Sequence, residues 1–254
     1  MNIPPSFWIR TSRPNPRAAL RLFCVPHAGG SPEMFSSWPQ RLPAAVEVCG
    51  LCLPGRSVRM SEPLVTSLSQ LVEGLSEALQ DELHKPYALY GHSMGGLVCF
   101  ELIRQLSAKG ASMPRRLFVS GCYAPHIPDS APIHMLPDDD FIRELNRFRT
   151  VPEEMSGDRE LLDLFLPILR ADAAVTETYV YAPAPPLNCP ITAYIGAEDP
   201  VVGRADMEAW RQHTSRDFQT HVFPGDHFFI ESSRAEVLSV LSNDLNRILQ
   251  ANSR

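Results

Sequence analysis

Tyr87-Ala88-Leu89-Tyr90-Gly91-His92-Ser93-Met94-Gly95-Gly96 reads as a short strand that turns abruptly into a helix, and the fold follows from that turn. Tyr87 to Tyr90 is apolar and β-prone, whereas Leu97 to Leu106 carries a helical pattern. Between them Gly91, Ser93 and Gly95 form a G-x-S-x-G sequence. A serine at so sharp a turn is held in a strained backbone conformation that lifts its Oγ above the strand ends. Gly91 and Gly95 fit because side chains there would collide with neighbouring backbone. The helix that begins after Ser93 aims its N–H groups and the positive end of its dipole at the same point. Ser93 is therefore the candidate nucleophile.

On both sides of this turn, β-prone runs alternate with helical patterns. Leu20 to Val25 ends at Pro26-His27-Ala28-Gly29-Gly30, and Val46 to Leu53 ends at Pro54-Gly55. From Ser67 the apolar residues Leu68, Leu71, Val72, Leu75 and Leu79 recur at helical spacing; Ser67 and Gln70 suggest a capping box, and the helix should end near His84. Leu117 to Val119, Ile191 to Ile195 and Phe218 to Phe223 read as further strands, with a helix over Ala205 to His213. A last helix, its start marked by Ser233 and Glu236, turns Val237, Leu241, Leu245 and Ile248 inward. Strands separated by helices predict an α/β fold with a mostly parallel central sheet flanked by helices.

The 254 residues, 44% of them hydrophobic, fit a single domain over 1–254, with its core in 18–123 and 187–251. The alternation breaks between about Ala124 and Pro186. Phe141, Leu145 and Phe148 fall at helical spacing behind Asp138, Asp139 and Asp140, and Leu161 to Leu169 is apolar on nearly every side, interrupted by Pro167. This reads as an inserted helical lid over about 124–186, or else as a core helix kinked at Pro167.

The net charge of −6, with both signs mixed along the chain, lacks the basic footprint that nucleic acid requires, so no nucleic-acid partner is expected. No signal-peptide core and no run of about 18 apolar residues occurs, which predicts a cytoplasmic protein without membrane contact. Of the six cysteines, Cys24, Cys49, Cys52 and Cys99 lie in apolar runs and read as reduced core residues. Cys49 and Cys52 have C-x-x-C spacing, but residues three apart on a strand point to opposite faces and there is no second pair, so no metal site is expected.

A serine hydroxyl needs a base, and the base an orienting carboxylate, in the chain order Ser, Asp or Glu, His. His213 falls in a helical pattern and His221 inside a strand. His227, in Gly225-Asp226-His227-Phe228 just past the last strand, sits on a loop that can reach Ser93. Asp199, in Gly196-Ala197-Glu198-Asp199-Pro200, leaves the preceding strand and is the favoured acid; Glu198 and Asp226 are rivals, and a turn-forming Asp-Pro is the bland reading of Asp199. The oxyanion donors should be the backbone N–H groups of Met94 and of Ala28, with Gly29 as the fallback for the second. His27 precedes Ser93 and is expected to brace its loop. None of this chemistry calls for a cofactor or metal.

Five segments together resemble the type II thioesterases of nonribosomal peptide and polyketide synthases, within the α/β-hydrolase fold. They are Phe23-Cys24-Val25-Pro26-His27-Ala28-Gly29-Gly30-Ser31; Leu53-Pro54-Gly55-Arg56 with Arg59; Gly91 to Gly96; Leu164-Phe165-Leu166-Pro167 through Leu169-Arg170-Ala171-Asp172; and Phe223-Pro224-Gly225-Asp226-His227-Phe228-Phe229. Asp226 stands where that family often has glycine. The resemblance implies hydrolysis of acyl thioesters from the phosphopantetheine arm of acyl or peptidyl carrier proteins, with acyl-CoA as a surrogate substrate. It carries the triad onto Ser93, Asp199 and His227, and makes the insertion a lid. Part of the apolar surface from Leu161 to Leu169 is then expected to line an acyl channel, and Arg143, Arg147 and Arg149 to attract an acidic carrier. The chain is expected to act as a monomer. A general carboxylesterase or lipase would share every catalytic residue, and a non-catalytic carrier-binding protein is the alternative outside enzymology.

Overall fold

The central apolar runs Leu20–Val25, Tyr87–His92, Leu117–Ser120 and Ile191–Gly196 are buried on both faces, as parallel strands between two helical layers must be, whereas the edge run Phe218–Phe223 is buried only at its ends. The computed structural model describes residues 5–128, 132–147 and 159–252. In chain order the elements are α1 (Pro5–Trp8), β1 (Ile9–Arg10), β2 (Leu20–Val25), β3 (Val46–Leu51), α2 (Leu68–Leu79), β4 (Tyr87–His92), α3 (Met94–Ala108) and β5 (Leu117–Ser120). They continue with α4 (Asp138–Arg147), α5 (Arg159–Glu177), β6 (Ile191–Gly196), α6 (Arg204–Glu208), β7 (Phe218–Phe223), α7 (Phe229–Ser232) and α8 (Arg234–Asn252). The strands form one sheet in the order β1-β3-β2-β4-β5-β6-β7, parallel throughout except that β1 runs antiparallel to β3.

Alternate residues of each strand enter different cores. Tyr87 and Leu89 of β4 pack with α2 and α3, while Ala88 and Tyr90 pack with Phe35, Trp38 and the Val237, Leu241 and Leu245 face of α8. The chain moves outward from β2 to β3 and then crosses back to β4. The carboxyl ends of β2 and β4 therefore flank the point where strand order reverses, which is where open α/β sheets bind ligands. Val25 and Gly91 are register partners there, so the His27 loop and the Ser93 turn emerge side by side.

Several boundaries differ from expectation. β4 runs two residues past Tyr90 because Gly91 and His92 pair with Val119 and Ser120. β1 is a two-residue strand with no local signal, made by pairing with Gly50 and Leu51. Ser67 does precede α2, but its Oγ engages Ser69 Oγ at 2.8 Å and gives no side-chain cap; the helix ends at Leu79 and a 3-10 turn over Gln80–Glu82 follows. The helix expected over Ala205 to His213 is α6 followed by a 3-10 turn over Ala209–His213.

Between β5 and β6 in the chain, α4 and α5 enclose a separate apolar cluster of Phe141, Leu145, Leu162, Leu166 and Leu169. Arg170 ties the two helices, donating to Asp138 Oδ1 at 2.6 Å and lying 4.4 Å over the Phe141 ring. α5 continues unbroken through Pro167, which faces outward, and its Val175 joins the α2–α3 core. Phe148 lies outside the described residues.

Candidate active site

Ser93 sits between β4 and α3 with φ 54° and ψ −124°, the strained conformation that the turn demands of a non-glycine residue. Its N–H donates to Ser120 O at 2.7 Å, and Gly96 N–H closes the turn onto Ser93 O at 2.8 Å. A Cβ at Gly91 would lie 2.1 Å from Gly95 O, and one at Gly95 would lie 2.3 Å from Val25 O. Backbone cannot give way to either, so both positions require glycine.

His227, which shares a cavity with Ser93, meets Asp199. His227 Nδ1 lies 2.9 Å from Asp199 Oδ2, with side-chain exposures of 3% and 0%. Asp199 Oδ1 accepts the N–H groups of Val201 and Val202 at 2.9 and 3.1 Å, which fixes the carboxylate and satisfies its second oxygen. The Asp-Pro turn and the histidine contact are thus made by one side chain. Glu198 is exposed, and Asp226 Oδ1 accepts Phe228 N–H at 2.9 Å within its own loop. Among the described contacts His227 therefore pairs with Asp199 and with neither rival.

Gly121, at the end of β5, escaped sequence reasoning. Its φ is 52°, and a Cβ there would lie 3.4 Å from His227 Cε1 and 3.5 Å from Asp199 Oδ2. A glycine directly after a strand was the available signal.

Ser93, Met94, His227, Ala28 and His27 line one cavity of about 870 Å³, which extends to Leu145, Leu169, Ala173 and Glu177 of α4 and α5. Of the seven apolar residues from Leu161 to Leu169, Leu169 is the one that reaches this wall; Leu162 and Leu166 fill the cluster between α4 and α5, and Leu164 is exposed. Arg143 is exposed and pairs with Asp140 one turn earlier on α4, whereas the Arg147 side chain and Arg149 lie outside the described residues.

The His27 loop closes as a turn, with Gly30 N–H donating to His27 O at 2.9 Å and Gly29 at φ 75°, as the third residue of a type II turn requires. Gly29 N–H donates to Asp172 Oδ2 at 2.7 Å. Gly29 and Gly30 N–H are both engaged, and among the described contacts the Ala28 N–H has no partner. His27 braces the loop as expected, its Nδ1 lying 2.9 Å from Ala28 O. Sequence reasoning missed the partners of Asp172: Arg56 donates to both its oxygens, at 2.6 and 2.7 Å, and both residues are buried.

Burial pushes His27 down to about 4 and holds His92, whose Nδ1 lies 2.9 Å from Ser120 Oγ, well below the ordinary histidine range. Both rings are neutral at neutral pH. The unfolded chain protonates its histidines near pH 6.5, while folded His27 resists until about pH 4, so this stabilisation is complete above the first value and lost as pH falls toward the second. Urea unfolding should show stability dropping from pH 7 to pH 4, and His27→Asn, which keeps a donor for Ala28 O without titrating, should flatten part of that slope. An unchanged slope would remove His27 from the balance.

Burial likewise pushes the Cys49 thiol up to about 11, so it packs as a hydrophobe, and all six cysteines are free. No group of three or more histidine, cysteine, aspartate or glutamate side chains is placed to hold a metal ion among the described residues. Nor is any described helix long and apolar enough to cross a membrane.

Comparison with known proteins points one way. The family model described as Thioesterase domain matches residues 20–245. The chain is 42% identical over 243 residues to the gramicidin S biosynthesis protein GrsT of Aneurinibacillus migulanus, covering 95% of each chain. It is 41% identical over 252 residues to a Brevibacillus parabrevis protein named linear gramicidin dehydrogenase LgrE, covering 98% of this chain and 96% of that one. Among solved structures, the RedJ thioesterase of the prodiginine biosynthetic pathway in Streptomyces coelicolor superposes with a TM-score of 0.84 at 38% identity, over 89% of this chain and 85% of that one.

Proposed function

The chain belongs to the thioesterase family, of α/β-hydrolase fold, and from that premise we propose that it is a type II, editing thioesterase that clears acyl groups from the carrier proteins of a nonribosomal peptide or polyketide synthase. The observation that carries this reading is the buried Asp199–His227 pair, whose His227 lines the same cavity as Ser93. In the proposed mechanism His227 Nε2 takes the Ser93 proton as Oγ attacks the thioester carbonyl. The N–H groups of Met94 and Ala28 receive the oxyanion. His227 then returns the proton to the departing phosphopantetheine sulfur, leaving Ser93 acylated. Water, deprotonated by the same histidine, attacks the acyl-enzyme and frees the acid. Asp199 holds the ring with Nδ1 protonated and offsets the charge of the imidazolium.

The domain reading follows from the same premise: one domain over 1–254, with 124–186 as a lid whose helices supply the outer wall of the cavity. A cytoplasmic monomer, with acyl-CoA as a surrogate substrate, completes the proposal.

The dehydrogenase in one relative's name finds no support in these residues. The turn after β2 reads Pro26-His27-Ala28-Gly29-Gly30 and leads into a short 3-10 turn at Pro32–Phe35, without the G-x-G-x-x-G that opens a dinucleotide-binding helix.

Turnover of one acyl group presented on a carrier protein, on CoA and as an oxygen ester tests the substrate. The expected order of kcat/KM is carrier, then CoA, then ester. Preference for the oxygen ester would make the protein a carboxylesterase, and carrier binding without turnover would make it a non-catalytic partner.

A further inference from the structure

The Arg56–Asp172 pair lies outside the proposed triad, yet it touches the loop that would receive the oxyanion. We infer that Asp172, clamped by Arg56, is the positioning residue for the Ala28 N–H. This inference rests on the reading of Ala28 as an oxyanion donor.

Three peptide groups define the loop. The His27 carbonyl is turned inward to Gly30 N–H at 2.9 Å, so the N–H on the other side of that planar peptide, which belongs to Ala28, is turned the opposite way. The next peptide is pinned at both ends, its Ala28 oxygen facing His27 Nδ1 at 2.9 Å and its Gly29 N–H donating to Asp172 Oδ2 at 2.7 Å. Arg56 Nη1 reaches Gly30 O at 3.3 Å as well as Asp172. Without the carboxylate, the Ala28–Gly29 peptide keeps one of its two pins, and the adjoining His27–Ala28 peptide, which carries the Ala28 N–H, loses the support of a fixed neighbour.

A buried ion pair costs desolvation that a hydrophobic pair of similar volume avoids, so packing alone does not account for it. Arg56 and Asp172 are 4% and 2% exposed, and Asp172 uses both oxygens on Arg56 while giving one of them to Gly29. Leu169, one turn earlier on α5, seals the other side of the loop: a Cβ on Gly29 would lie 2.5 Å from its Cδ2. The insertion helix that walls the cavity thereby also sets the geometry of the donor.

Two double variants isolate the effect without stranding a buried charge. Asp172→Asn with Arg56→Met keeps a neutral acceptor for Gly29, whereas Asp172→Leu with Arg56→Met removes it. The leucine pair should lose about 10- to 100-fold in kcat on a short acyl thioester with little change in KM, and a trifluoromethyl ketone, which forms an oxyanion on the nucleophile, should bind more weakly by the same factor. The asparagine pair should recover most of both. Should the leucine pair fail to accumulate folded, Asp172→Ser with Arg56→Met, too short to reach Gly29, takes its place with the same expectation. Equal kcat in the acceptor-keeping and acceptor-lacking pairs, or a kcat loss with ketone affinity unchanged, would overturn the inference. A wild-type protein that the ketone does not inhibit would instead overturn the Ser93 and Ala28 reading beneath it.

Discussion

Ser93→Ala should lower kcat/KM on acyl thioesters by about 10⁴-fold or more, leaving the residual rate that binding and the oxyanion donors provide alone. A fluorophosphonate should add one label per wild-type chain and none to the variant. The fold should persist, because the contacts that shape the turn are made by backbone: Ser93 N–H to Ser120 O, Gly96 N–H to Ser93 O, and the close approach of Gly91 to Gly95. Positive φ at a serine costs energy, and among the described residues no hydrogen bond of its hydroxyl offsets it, so Ser93→Gly should be equally inactive yet more stable than wild type by about 1 kcal/mol. That combination separates strain kept for chemistry from strain kept for packing. Activity or labelling surviving in Ser93→Ala would move the nucleophile elsewhere.

The turn at Ser93 was legible because its constraint is local: a strand, two glycines that backbone crowds, and a helix. The same holds for β2 and β7, whose observed limits match the apolar runs because proline or glycine turns close them. The contact between Asp199 and His227 was legible for a different reason, since each follows a strand at its carboxyl end and parallel strands gather those ends on one side. What could not be read depends on pairing across distance. β1 exists through its register with β3, and the last two residues of β4 are strand because β5 lies alongside. The Arg56–Asp172 pair spans 116 positions, and although both residues fall in segments that carry the family resemblance, nothing in those segments says that they touch. Of the apolar run from Leu161 to Leu169, part was expected to line a channel, and which part depends on tertiary packing: Leu162 and Leu166 pack in the cluster with α4, while Leu169 belongs to that cluster and also lines the cavity.

Asp199→Asn should cost about 10⁴-fold in kcat with KM nearly unchanged, and the geometry says why. Asp199 Oδ1 accepts two backbone N–H groups, from Val201 and Val202, while Oδ2 faces His227 Nδ1. An asparagine keeps its oxygen on the two donors, since turning its amide group toward them would set N–H against N–H. The new NH₂ then faces His227 Nδ1, which must accept instead of donate. The ring proton moves to Nε2, and the base presents a hydrogen to Ser93 where it needs a lone pair. Stability should change little, because the variant keeps all three hydrogen bonds with the direction of one reversed. Glu198→Gln, at an exposed site, and Asp226→Asn, which retains an acceptor for Phe228 N–H, should each stay within about tenfold of wild type. Steady-state kinetics on the three variants, each checked by thermal unfolding, decides the matter: a mild loss at Asp199 beside a severe one at Asp226 or Glu198 would reassign the acid.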